Sequence, residues 1–91
     1  MSENEWHLIY EQSIAPKCLI YEYISHGRHY YLRLCIYYDE RGNIHPFGNI
    51  RLTVNNRKDY VFTNYKHLEE YLKSKQIPVN GIEGIIRLWR E

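Results

Sequence analysis

Aromatic and basic side chains alternate along two strand-like segments, residues 29–38 and 44–54. Because successive side chains of a strand point to opposite faces of a sheet, we predict that one face collects a set of candidate binding residues: His29, Tyr31, Arg33, Tyr37, His45, Phe47 and Arg51. Tyrosine, phenylalanine and arginine are enriched in protein interfaces. The same residue types bind single-stranded nucleic acids, where rings stack on bases and arginines attract phosphates. The spacing therefore predicts a binding face.

The histidines also permit an enzymatic hypothesis. His29 or His45, acting with Glu22, could shuttle a proton while arginines hold a phosphate, as a metal-independent ribonuclease requires. However, no residue is distinguished as nucleophile or base, and the chain has no P-loop, dinucleotide fingerprint or G-x-S-x-G motif. We therefore expect no enzyme activity and rank a ribonuclease below the binding functions.

Metal binding and cysteine chemistry have little support in the sequence. His26 and His29 have the spacing of half a metal site, but they flank a turn and no further ligands follow at a recognisable spacing. We predict neither a metal nor another cofactor. Cys18 and Cys35 form no C-x-x-C motif, and two cysteines are too few for a secreted disulfide scaffold. We interpret them as small apolar core residues, unless the strand register brings them together.

The charge balance bears on the class of partner and on location. The chain of 91 residues has 12 basic and 11 acidic residues, for a net charge of +1. This near-neutrality argues against strong nonspecific nucleic-acid binding. Residues 1–5 are acidic where a signal peptide would be basic, and no apolar run approaches the length of a membrane span. We expect a cytoplasmic protein that does not contact membranes.

The elements that position the candidate residues follow from hydrophobic periodicity and turn signals. Strands are predicted at residues 6–10, 17–24, 29–38, 44–54 and 59–63, with turns at 25–28, 39–43 and 55–58. Thr63 or Asn64 could then cap a helix. Its apolar stripe would comprise Tyr65, Leu68, Tyr71 and Leu72. Residues 85–89 are predicted as a final strand or a short helical turn, and we prefer the strand because adjacent isoleucines and a tryptophan favour a buried pleated surface.

These elements predict a single α+β domain over residues 1–91. We expect a mostly antiparallel sheet of five or six strands with a β-meander at its centre and one α-helix packed on one face, in the order βββββαβ. A two-residue loop at His26 and Gly27 would place Cys18 opposite Cys35. Pairing outward from the next hairpin loop would place Leu32 opposite Ile50. The core face would then contain Tyr30, Leu32, Leu34, Ile36, Tyr38, Ile44, Ile50, Leu52 and Val54.

Three interpretations of the opposite face compete. The first is non-catalytic binding of a protein partner or of a second copy of the chain. The alternative is a single-stranded nucleic-acid-binding domain that uses the same residues. The remaining interpretation is that these are ordinary solvent-facing strand residues with high β propensity. Short chains without motifs are common among phage or mobile-element proteins that inhibit larger enzymes. By this analogy of size, we expect the chain to be an inhibitor-type protein of a phage or mobile element.

Overall fold

The computed structural model describes residues 4–90. Five strands form one antiparallel sheet in chain order: β1 (His7–Glu11), β2 (Lys17–Ser25), β3 (Arg28–Tyr38), β4 (Ile44–Val54) and β5 (Lys58–Phe62). They are followed by helix α1 (Tyr65–Ser74) and the short helix α2 (Glu83–Ile86). The predicted α+β fold with an antiparallel meander is thus confirmed, with five strands in the sheet.

Two tight connections fix the hairpins on either side of β3. Between β2 and β3, His26 and Gly27 have φ values of 52° and 77°, and positive φ at both central positions suits the twist of the flanking strands. The connection from β3 to β4 is closed by Asp39, whose backbone N–H donates to the carbonyl of Asn43 and whose carbonyl accepts from the N–H of Gly42, both at 3.0 Å. Both predicted turns are confirmed.

The register between β3 and β4 changes partway along the hairpin. Near the loop the predicted pairing holds, but farther along Leu32 faces Leu52 rather than Ile50, and Tyr30 is shifted in the same way. The extra residues lie around Gly48, whose φ of 75° is in the left-handed region. Because the shift is two residues, every side chain keeps its predicted face.

The core lies between the helices and one face of the sheet. Its fully buried side chains are Leu32, Leu34, Ile50, Leu52, Leu68, Leu72, Ile82 and Ile86. Two residues predicted for this face are exposed, since Tyr38 is 51% and Ile44 is 41% accessible, and a third, Val54, is only partly buried. Tyr38 and Ile44 form the last strand pair before the hairpin loop, at the end of the sheet.

Helix α1 begins and packs as predicted. The side chain of Asn64 accepts a hydrogen bond of 2.6 Å from the backbone N–H of Lys66, which satisfies one of the unpaired donors of the first turn. Leu68 and Leu72 are fully buried against the sheet, and Tyr71 packs beside them. The apolar stripe of the helix is therefore core.

The preference for a strand at residues 85–89 is wrong, and the alternative of a short helical turn is closer to the structure. The chain forms α2 there, and Ile82 and Ile86 are both buried. Their i, i+4 spacing is helical, but β propensity of the neighbouring residues obscured it. Trp89 follows α2 and is buried, and its indole N–H donates a 2.8 Å hydrogen bond to the carbonyl of Gly48.

Trp6 joins the start of the described chain to the segment before α2. Its indole N–H donates to the carbonyl of Pro78 at 2.9 Å, and its backbone N–H donates to the carbonyl of Asn80 at 2.8 Å. Gly81 has a φ of 97°, and a Cβ there would lie 2.6 Å from the carbonyl oxygen of Trp6. The close approach therefore requires glycine. Both tryptophans seal the core.

Candidate functional site

The sheet face opposite the helices, called the open face below, carries all the candidate binding residues. Cross-strand pairing places Arg33 beside Arg51, and Tyr37 beside His45. Since the buried residues of α1 and α2 pack on the other face, neither helix covers this one. The open face also carries Glu22, the residue considered above as an acid–base partner, and residues that the sequence did not single out as candidates: Ile9, Tyr10, Ile20, Ile24, Thr53, Asp59 and Val61.

Arg33 and Arg51 lie directly opposite each other at the centre of the open face, and both are exposed. Like charges at directly opposed positions of a sheet repel. Within residues 4–90, the ion pairs are Lys17–Glu11, His29–Glu22 and His45–Asp39. Neither guanidinium group has a carboxylate partner among them, so both are available to an external anion.

A hollow lies on each side of this arginine pair. The larger, of about 480 Å³, is lined by Phe47, Val61 and the Cys18–Cys35 pair. The smaller, of about 310 Å³, is lined by Ile9, Ile20 and Tyr31. Both arginines border both hollows, so the arginine pair forms a charged ridge between them. The smaller hollow is mainly apolar, whereas the larger is also lined by the polar side chains of Gln12 and Asn49.

The two candidate histidines have carboxylate neighbours of their own. His29 Nδ1 lies 3.4 Å from Glu22 Oε2, and the His29 ring stacks on Tyr31 with centroids 6.3 Å apart. A hydrogen bond to Glu22 raises the pKa of the Tyr31 hydroxyl. Glu22 therefore interacts with both His29 and Tyr31. It lies on β2 two residues from Ile20, the cross-strand partner of Arg33.

At the other end of β3, aromatic rings form an exposed cluster. Tyr37 stacks on His45 with centroids 5.1 Å apart and meets Phe47 edge to face at 6.4 Å. His45 Nε2 lies 2.8 Å from Asp39 Oδ2. The pairing of His45 with Glu22 considered for a ribonuclease is therefore wrong, whereas His29 and Glu22 are brought together.

Asp39 organises the β3–β4 loop. One of its carboxylate oxygens accepts hydrogen bonds of 2.9 Å from the backbone N–H groups of Arg41 and Asn43. The hydrogen bond with His45, followed by that from the Asn43 backbone, lowers the pKa of Asp39 to about 2. These bonds favour the charged carboxylate and hold the loop that joins the two strands carrying the aromatic cluster.

Acid should therefore weaken the fold through Asp39. Because its pKa is lower in the folded than in the unfolded chain, the contribution is fully present above pH 4 and is lost as the pH falls towards 2. We expect Asp39→Asn to unfold at a lower temperature than wild type at pH 6, with the difference shrinking between pH 4 and pH 2. Thermal unfolding across pH tests this, and Glu40→Gln controls for loss of a loop carboxylate. A difference independent of pH would contradict it.

Cys18 and Cys35 form a disulfide. The predicted two-residue loop is confirmed and places them opposite each other, which is the condition under which they were not expected to be separate apolar residues. The disulfide lines the larger hollow beside Phe47. Disulfides are uncommon in cytosolic proteins, so the expected cytoplasmic location stays a prediction.

Other classes of site were sought across the described chain. Within residues 4–90, no three His, Cys, Asp or Glu side chains are grouped so that they could hold a metal ion. Neither helix of this part has the length and apolar character needed to cross a bilayer. Comparisons of the chain with protein-family models, with curated proteins and with solved structures find no match.

Proposed function

We propose that the chain is a non-catalytic binding module that recognises a partner protein through the open face. The observation that carries this proposal is the exposure of large apolar side chains around two arginines that lack ion-pair partners among the described residues. Those side chains are each between 41% and 53% exposed: Ile9, Tyr10, Ile24, Tyr37, Phe47 and Val61. Clustered exposed apolar surface of this kind is typical of protein-binding sites.

The charges of the open face favour a protein over a nucleic acid. Single-stranded nucleic acids bind along continuous basic grooves. On the open face, by contrast, Glu22 and Asp59 are each paired across strands with a residue that lies two positions from one of the arginines. The histidines at both ends lie beside carboxylates. A phosphate backbone laid along β3 would therefore meet negative charge after a short distance.

The arginine pair also favours a different protein over a second copy. Arg33 and Arg51 lie at the centre of the open face, and a two-fold axis through that centre would place four guanidinium groups together. Repulsion among them would oppose such a dimer. A module of this kind would act by occupying a surface of its partner, which is how the expected inhibitor-type role would operate.

The experiment is affinity capture from the native host with nucleic acid retained, followed by binding measurements with the purified captured protein. We expect wild type to bind it, and Phe47→Glu or Tyr31→Ala/Arg33→Ala to lose binding while the free energy of unfolding changes by no more than about 1 kcal/mol. Lys66→Glu, at an exposed position on α1, is the matched control and should bind normally.

Several outcomes would contradict this proposal. Undiminished binding by Phe47→Glu would show that the open face is not the interface. Capture that disappears after nuclease treatment would favour the nucleic-acid alternative. Cleavage of mixed-sequence RNA by the purified protein, abolished in His29→Ala, would favour a ribonuclease.

A further inference from the structure

The two hollows beside the arginine ridge lie at the positions of β3 two residues before and two residues after Arg33. Tyr31 lines the hollow of about 310 Å³, and Cys35 lines the hollow of about 480 Å³ together with Phe47 and Val61. In an extended segment, residues i, i+2 and i+4 point to the same side. Three such side chains could therefore contact one hollow, the ridge and the other hollow in turn.

The ridge is suited to a single carboxylate. Each guanidinium group offers a planar set of N–H donors that matches the two oxygens of a carboxylate. One carboxylate between Arg33 and Arg51 would also offset the repulsion between their directly opposed charges. The ligand's central residue is therefore aspartate or glutamate.

The surroundings of the ridge restrict how many negative charges the ligand can carry. Glu22 is paired across strands with Tyr31, which lies two residues before Arg33 on β3. Asp59 is paired with Thr53, which lies two residues after Arg51 on β4. A second anionic group in that direction would be repelled. Apolar groups instead face Ile9, Ile20 and Tyr31 on that side, and Phe47 and Val61 on the other.

From this arrangement we propose that the open face binds an extended partner segment that contains one acidic residue, with an apolar residue two positions before it and another two positions after it. The pattern is apolar-x-acidic-x-apolar. The proposal rests on the proposed function and specifies the chemistry of the partner. The acidic side chain contacts Arg33 and Arg51, and the two apolar side chains occupy the hollows.

The direct test uses the peptide acetyl-Leu-Ser-Glu-Ser-Leu-amide with the full chain, followed by the NMR signals of the arginine Nε–H groups and the backbone amides. We expect saturable shifts at Arg33 and Arg51 and none at Arg57, which is exposed in the β4–β5 turn. Peptides with Gln for Glu, or with Ser for both Leu residues, should bind about tenfold more weakly. Equal binding of the Gln peptide, or no saturable shift, would overturn the proposal.

Variants of the chain give a second measurement. Arg33→Gln/Arg51→Gln should bind the Glu peptide about tenfold more weakly, and Arg33→Lys/Arg51→Lys should lie between it and wild type, because lysine keeps the charge but not the planar donors. Retained dispersion of the backbone amide signals would show that each variant is folded. A thymidine oligonucleotide that binds more tightly than the peptide, with affinity falling steeply with salt, would assign the ridge to nucleic acid.

The same variants separate failure of this inference from failure of the proposed function. If Arg33→Gln/Arg51→Gln binds the captured partner as well as wild type while Phe47→Glu does not, the open face is the interface but the acidic residue is not recognised by the arginines. If both variants bind normally, the proposed function fails as well.

Discussion

Replacing Trp89 with alanine is expected to lower the free energy of unfolding by about 3 to 5 kcal/mol. Trp89 is only 3% exposed, and its ring belongs to the core. Its removal would leave a cavity and would also leave the carbonyl of Gly48 without its indole donor. Since small domains are stable by about 5 to 15 kcal/mol, this single change would remove a large part of the total.

Urea unfolding of purified variants measures the effect. Trp89→Phe keeps much of the apolar ring but not the N–H donor, so we expect a smaller loss than for alanine. Arg90→Ala changes an exposed neighbour and is the matched control, with little expected effect. A loss below about 1 kcal/mol for Trp89→Ala would show that the segment after α2 does not stabilise the core.

Removing the Cys18–Cys35 disulfide is expected to lower the free energy of unfolding by about 3 kcal/mol. The bond joins residues separated by 17 positions, and a closed loop of that length restricts the unfolded chain by roughly this amount. Cys18→Ala/Cys35→Ala should show this loss without added reductant, because the variant cannot form the bond. Alanine is chosen because it leaves no unpaired polar group at these partly or fully buried positions.

Dithiothreitol provides the matched comparison for the disulfide. It should destabilise the wild-type chain by a similar amount and leave the double-alanine variant unchanged. Because the disulfide lines the larger hollow, reduction should also weaken binding of the acidic peptide. A wild-type unfolding midpoint insensitive to reductant under conditions that cleave the bond would contradict the expected stabilisation.

Much of the fold could be predicted because local rules agree with one another in the first 74 residues. Alternation with a period of two separates the faces of β3 and β4, and His26 and Gly27 define a two-residue turn. The two-residue register shift near Gly48 does not follow from these local rules. Gly48 also accepts the hydrogen bond from Trp89, a contact with a residue distant in sequence that local rules do not reveal.

The segment after α1 shows where local preference misleads. Ile85 and Ile86 favour a strand by β propensity, but the structure forms a helix that buries Ile82 and Ile86. As a helix, this segment buries both isoleucines in the same core cluster as Trp6. Tertiary packing therefore decided the conformation.

Only part of the candidate site could be predicted from the sequence. The placement of the aromatic and basic residues on one face follows from alternation alone. The hollows do not, because Ile9 and Val61 come from β1 and β5, whose registers the turn signals left undetermined. Nor could spacing show that His29 and His45 lie beside carboxylates while the arginines do not.

The order of strands in the sheet bears on how the chain folds. Every strand pairs with its neighbour in sequence, so each hairpin closes over a short loop at low entropic cost. The contact between Trp6 and Pro78 spans 72 residues and cannot form until the sheet and α1 have brought its ends together. We therefore expect hairpin formation to begin the folding reaction and the docking of Trp6 to complete it.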